Sequence, residues 1–191
     1  MIPSTGKGEQ RRRDITDAAA ALLLESGPTA VSHRAVARRA GCSLSATTYY
    51  FKGLDDLLQA AGEHNIARWA QRAEQVAERV EAGPIPMARA ETVRSILAAT
   101  LPSDEALLGH YLTLLAAGGS PPVARAYRTG RARLNAAILR VLRRVGSPLS
   151  VELVIAVVDG AAVSALSEGR DVWTTAERAL TQLQEASAPT T

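Results

Sequence analysis

Residues 32–58 read SHRAVARRAGCSLSATTYYFKGLDDLL, and this stretch decides the fold. Ser32 can cap a helix, because its hydroxyl can accept an otherwise orphaned backbone N–H of the first turn. Ala35, Val36, Ala37 and Ala40 then give a small apolar face, leaving Arg34, Arg38 and Arg39 on the other side. Gly41 follows the last periodic residue, where a left-handed backbone is cheapest for glycine. Ser43 can cap a second helix, Leu44 to Phe51, and Lys52-Gly53 breaks it. Asp55 and Asp56 fall in the first turn of a third helix, where the positive end of the helix dipole favours carboxylates.

Two helices joined by a short turn containing glycine form a helix-turn-helix pattern. In such a unit the second helix enters the major groove, with its N-terminal residues at the base edges. That helix must be slim at its start, able to hydrogen-bond, and free of carboxylates. Leu44 to Lys52 holds no Asp or Glu. Ser43, Ser45, Thr47 and Thr48 have the reach for phosphates or base edges. Arg34 can reach a guanine edge or a phosphate. Lys52 is the best-placed phosphate contact.

The run AGCSLSATTYYFKGLDDLL resembles the recognition segment of the TetR family of bacterial one-component transcriptional regulators. The shared features are a glycine turn, a short helix ending in an aromatic pair plus Phe, a basic residue, and an acidic opening to a helix with Leu-Leu. The resemblance covers roughly residues 11–58; beyond that it extends only to the helical layout. It implies that Thr48, Tyr49 and Tyr50 line the groove-facing and phosphate-facing side, with one tyrosine ring turned inward. There is one departure: the family usually carries Lys or Arg where this chain has Leu54.

The remainder of the chain is consistent with an all-α protein. Aromatics are scarce at 4%, while Ala, Leu, Arg and Val are abundant, which suits helix–helix packing. A chain of 191 residues buries roughly 70 per cent of its unfolded surface. The single cysteine, Cys42, excludes an internal disulfide and fits an intracellular setting. No apolar run approaches the ~18 residues of a membrane span, and the N-terminus lacks a secretory apolar region. The expectation is a soluble cytoplasmic protein with no membrane role.

Net charge is +3, unevenly spread. Residues 1–53 carry eight Lys/Arg against four acids, and residues 54–191 fourteen against fifteen. The basic excess lies with the helix-turn-helix, as an electrostatic footprint for phosphate requires. Residues 1–53 are therefore expected to be the DNA-binding domain, and residues 54–191 a helical effector-binding and dimerisation domain. About nine helices are expected in all.

In order, residues 1–6 read as a tail. A helix runs from about Gly8 to Ser26, stopped by Gly27-Pro28. Leu54 to Ala82 reads as one long helix, ended by Gly83-Pro84-Ile85-Pro86. Met87 to Leu101 follows, and then a helix opened by Ser103-Asp104-Glu105 with Leu107, Leu108, Tyr111, Leu112, Leu114 and Leu115. Val123 to Val145 is longer. Ser150 to Ser167 is apolar on nearly all sides, Trp173 to Ala186 closes the fold, and residues 187–191 read as a tail.

The last two helices are the expected homodimer surface. Val151, Val154, Ile155, Val158, Ala162 and Ala165, with Val172, Ala176, Ala179, Leu180 and Leu183, can pair with their copies as a four-helix bundle. A two-fold pair of heads would read palindromic half-sites roughly 34–36 Å apart on double-stranded DNA.

The resemblance also implies a small-molecule effector inside the C-terminal helices, binding of which releases DNA. Polar or aromatic groups able to point inward there are His64, Trp69, His110, Tyr111, Tyr127, Asn135 and Asp159. Walls of Leu, Val and Ala suit a mostly apolar effector. No nucleophile elbow, phosphate-cradling glycine loop or clustered metal ligands are visible, so no enzyme, cofactor or metal is expected. What the resemblance implies is a ligand-responsive DNA-binding transcriptional regulator, a repressor being the commoner case in that family. A helical protein-interaction adaptor without DNA is the rival, and it predicts binding with little salt dependence.

Overall fold

The computed structural model describes residues 6–84, 88–102 and 107–187. Among them are nine α-helices and no strand. They are α1 (Gly6–Ser26), α2 (His33–Arg39), α3 (Leu44–Tyr50), α4 (Leu54–Ala82), α5 (Arg89–Thr100), α6 (Leu107–Ala117), α7 (Pro121–Arg144), α8 (Val151–Ser167) and α9 (Val172–Ala186). The expected tails lie outside the described residues except for Gly6 and Ser187, and so do Ile85, Pro86, Met87 and the Ser103-Asp104-Glu105 opening. No helix among the described residues is long and apolar enough to cross a membrane.

Local chemistry explains the boundaries. Ser32 Oγ accepts from Ala35 N at 3.2 Å, and Ser150 Oγ from Leu153 N at 3.2 Å. Asp171 Oδ1 accepts from Thr174 N at 2.7 Å. Each satisfies one donor that a helix start leaves unpaired. Gly27 and Gly41 sit at φ 76° and 60°, the left-handed region that ends α1 and α2. The seventh helix begins at Pro121, two residues before the expected start. Proline lacks only an N–H that the first turn does not use, so Pro121-Pro122 opens the helix instead of preceding it.

Contacts gather the chain into two compact units, residues 1–68 with 105–131, and residues 69–104 with 132–191. The boundary expected at residue 53 falls inside the first unit.

In the first unit, Ile15, Ala19, Leu23, Val36, Phe51, Leu57, Ala61 and Val123 belong to one buried cluster. The carboxyl end of α1 is held by groups far along the chain. Asn65 Nδ2 donates to the Ala20 carbonyl at 3.2 Å, and Thr113 Oγ1 to the Leu23 carbonyl at 2.8 Å. The sixth helix lies on α1 through Gly109 and Thr113, one turn apart. As a result α6 buries His110, Tyr111, Thr113 and Ala117 and leaves Leu108, Leu112 and Leu115 exposed. The leucines are the more apolar side, but only the glycine and threonine side lets two backbones approach and offers a donor to a helix-end carbonyl.

Within each unit α4 and α7 run parallel. In the first, Gly62 lies against Ala126 and Ile66 against Gly130. In the second, Arg133 grips Glu74 (Nε–Oε1 2.7 Å) and Arg140 grips Glu81 (2.9 Å), one heptad on. Arg144 donates to the Gly83 carbonyl at 2.6 Å and the Val80 carbonyl at 3.3 Å, closing the end of α4.

The second unit packs α8 along α9, with α5 against both. Val151, Val154, Val158, Ala162 and Ala165 of α8 and Val172, Ala176 and Leu180 of α9 are buried within the chain itself. These residues, expected at a dimer surface, are buried inside the second unit. Ile155, Ala179 and Leu183 are half-buried. The side of α8 left exposed runs through Leu153, Ala156, Gly160 and Val163.

Candidate nucleic-acid interface

The outward face of α3 is set by which residues turn in. Thr47, Tyr50 and the capping residue Phe51 point toward the core of the first unit. Ser43, Leu44, Ser45, Thr48 and Tyr49 remain exposed, Tyr49 by 79%. Tyr49 stands edge-on to Tyr50 with ring centroids 5.1 Å apart, so the inward ring braces the outward one.

Thr47 departs from expectation. It is fully buried, and its hydroxyl donates to the Leu44 carbonyl at 2.8 Å. Three and four residues before the inward-turned Tyr50 and Phe51, it lies on their side of the helix, so it shapes α3 and does not face solvent. Tyr50 is half-buried and is the inward tyrosine. The other hydroxyls are engaged locally. Ser43 Oγ accepts from Ala46 N at 3.2 Å and lies 2.9 Å from Ser45 Oγ. Thr48 Oγ1 donates to the carbonyls of Ser45 (3.2 Å) and Leu44 (3.3 Å).

The cations of the first unit sort into two groups. Arg39 is clamped by Glu25 through two 2.6 Å hydrogen bonds, which raise its pKa above the ordinary value. Arg11 lies 3.7 Å from Asp14, Arg13 bonds Gln10, and Arg12 lies over the Phe51 ring, 5.2 Å from its centroid. Arg34, Arg38 and Lys52 are exposed and make no ion pair among the described residues. Their charge is not cancelled internally, so it is available to phosphate. Leu54, where the resemblance would place a cation, opens α4 and is also exposed.

The residues singled out for a ligand are shared between the two units. His64, His110, Tyr111 and Tyr127 belong to the first unit, and Trp69, Asn135 and Asp159 to the second. His64 Nδ1 lies 3.4 Å from the Asp17 carboxylate of α1. His110 and Tyr111 are buried edge to face, 5.0 Å apart, and Tyr127 packs against the first core. Trp69 is buried, while Asn135 and Asp159 are half-buried. Among the described residues of the second unit are two grooves. One of about 280 Å³ lies where α4 ends beside α5, lined by Arg79, Val80, Glu91 and Arg94 among others. The other, about 480 Å³, lies between α5 and α9 and includes Arg89, Val93, Glu177 and Arg178. None of the seven residues lines either groove. Groove residues such as Arg79 and Arg178 gave no sequence signal, being arginines on otherwise ordinary amphipathic helices.

Comparison with known proteins agrees with this arrangement. Residues 15–61 match the family model for bacterial regulatory proteins of the tetR family. Residues 86–186 match the model for a tetracyclin repressor-like C-terminal domain. Among solved structures, the multidrug binding protein EbrR complexed with imidazole is 26% identical, with a TM-score of 0.67 and 100% of both chains covered. EbrR complexed with proflavin is 25% identical, with a TM-score of 0.61, covering 89% of this chain and 98% of that one. A putative tetR-family regulator from Mesorhizobium loti shares the fold at 18% identity, with a TM-score of 0.66, covering 95% and 96%. Curated protein sequences gave no match. With a carboxylate-free helix α3 beside uncancelled cations, and family models matched at both ends, one over more than half its length, the chain belongs to the TetR family of transcriptional regulators.

Proposed function

We propose that the protein is a repressor that binds a palindromic operator as a homodimer and leaves it when a small, mostly apolar effector binds. DNA contact falls to Arg34, Ser43, Ser45, Thr48, Tyr49 and Lys52, with Arg38 added and Thr47 removed. Tyr50 supports the site from within. The observation that carries this reading is the pairing of cations: Arg39 is neutralised by Glu25, while Arg34, Arg38 and Lys52 have no ion-pair partner among the described residues and flank a helix with no carboxylate.

The dimer reading rests on the exposed, small and apolar side of α8, Leu153, Ala156, Gly160 and Val163, where a second copy can approach closely. The effector reading rests on the interior of the second unit. The fully buried residues of the second unit are apolar, Trp69 among them, with the buried side-chain atoms of Arg72 and Asn135 as its polar points, which suits a mostly apolar molecule. The likeness to EbrR, whose structure holds proflavin, points the same way. Release follows if the effector binds more tightly to an arrangement of the dimer that mismatches the half-sites.

The test is fluorescence anisotropy on DNA from upstream of the gene and on duplexes selected from a random pool, across a salt series. Wild type should bind selectively with a steep salt slope. Arg34→Ala and Lys52→Ala should bind more weakly, each with a slope shallower by about one. Binding that ignores salt and both substitutions would overturn the DNA reading. A promoter–reporter fusion should rise when the gene is deleted; a fall would make the protein an activator.

A further inference from the structure

The outward face of α3 is unusual in what it lacks. The helix reads LSATTYY, with no amide, guanidinium, ammonium or carboxylate side chain. Bidentate reading of guanine or adenine edges needs Arg, Lys, Asn or Gln, and α3 offers none. Its hydroxyls are largely committed to the helix itself. The Ser43 oxygen caps Ala46, and the Thr48 proton goes to the carbonyls one turn back. Thr48 is exposed and its hydroxyl is bonded to the backbone, which leaves its methyl as the side-chain group free to meet DNA.

Leu44 stands one turn before Thr48, on the same side, and is 46% exposed. Leu44 is not part of the buried cluster of the first unit. Leu44 and Thr48 therefore form a short apolar ridge on the face available to DNA. Base edges in the major groove carry one apolar feature, the 5-methyl group of thymine.

We infer that Leu44 and Thr48 read thymine methyl groups in each half-site, and that this contact, rather than bidentate hydrogen bonding from α3, is the main source of its base selectivity. The inference rests on the DNA-binding reading above. It assigns guanine contact, where present, to Arg34 on α2. It also accounts for a recognition helix whose serine and threonine hydroxyls are hydrogen-bonded before DNA arrives.

The experiment uses the full chain and the duplex it selects from a random pool. Each thymine of a half-site is replaced in turn by uracil, which removes the methyl and nothing else. One or two positions should then weaken binding about fourfold each, the value of one buried methyl-sized group. In Leu44→Ala the penalty at one of these positions should vanish, so that thymine and uracil duplexes bind alike. Its salt slope should remain that of wild type. Thr48→Ser keeps the hydroxyl bonds and deletes the methyl, and should lose the penalty at the other position. Equal affinity of every uracil duplex for wild type, with Lys52→Ala still weakened, would overturn this inference and leave the DNA reading standing. Failure to select any duplex would remove both.

Discussion

The carbonyl oxygen of Leu24 and the α-carbon of Gly109 lie so close that a Cβ on residue 109 would stand 2.5 Å from the oxygen. The obstacle is backbone, so it cannot rotate away. Gly109→Ala should therefore destabilise the protein by about 1–3 kcal/mol, despite the gain of about 1 kcal/mol in helix propensity. Thr113→Val, one turn on, keeps the shape and loses the bond to Leu23, at about 1 kcal/mol. Urea denaturation reads both. A Gly109→Ala variant as stable as wild type would show that α1 and α6 are free to separate.

Gly130 and Ile66 offer a cleaner cycle. A Cβ at residue 130 would run into Ile66 Cγ2, but this neighbour is a side chain. Gly130→Ala should be destabilising alone and much less so in an Ile66→Ala background, where the added methyl fills space. A coupling energy of about 1–3 kcal/mol is expected from denaturation of the four proteins. Simple additivity would mean that the two helices do not touch there.

Acid should loosen the second unit in a defined way. Hydrogen bonds from Arg133 and Arg140 hold the carboxyl groups of Glu74 and Glu81 below their ordinary pKa. A depressed folded-state pKa adds stability that is present above the unfolded-state value and disappears as pH falls through the folded one. The melting temperature of wild type should thus drop between about pH 5 and about pH 3 more than that of Glu74→Gln/Glu81→Gln. Both pairs are exposed, so the difference should be small and should shrink in salt. Parallel curves for the two proteins would show that the pairs do not contribute.

Gly160 separates helix stability from assembly. Nothing lies within 4 Å of a Cβ there, so Gly160→Ala should raise the stability of a single chain by up to about 1 kcal/mol. If α8 meets its copy across this face, the same methyl should weaken the dimer. Sedimentation at a series of concentrations should show a dimer for wild type and a shift toward monomer for the variant. An undisturbed dimer would place the interface elsewhere.

What the sequence made legible was local. Ser32, Gly41 and Ser43 mark their own helix ends, because a cap or a left-handed residue acts within one turn, and Leu54 to Ala82 has the bounds expected of it. What it hid depended on distant partners. The leucine side of α6 looks like the buried one until Leu23 and Leu24 supply carbonyls that only Thr113 and Gly109 can meet. Thr47 and Thr48 look equivalent until packing turns one inward. Helix α8 is apolar on nearly every side, so periodicity cannot say which side meets α9. The residues expected around a ligand belong to both units, and no local pattern records which unit each part of α4 and α7 joins.

The fastening of α1 also bears on how this protein can be recombined. Its last turns are tied by Asn65, Gly109 and Thr113, which all follow the helix-turn-helix in the chain, two of them by far. A chimera joined at residue 53 would hand those sockets to a foreign α4 and α6. A transplant meant to exchange operator choice alone should instead leave α1 in place and replace only the outward residues of α3, the part of the reading surface that the rest of the chain does not hold.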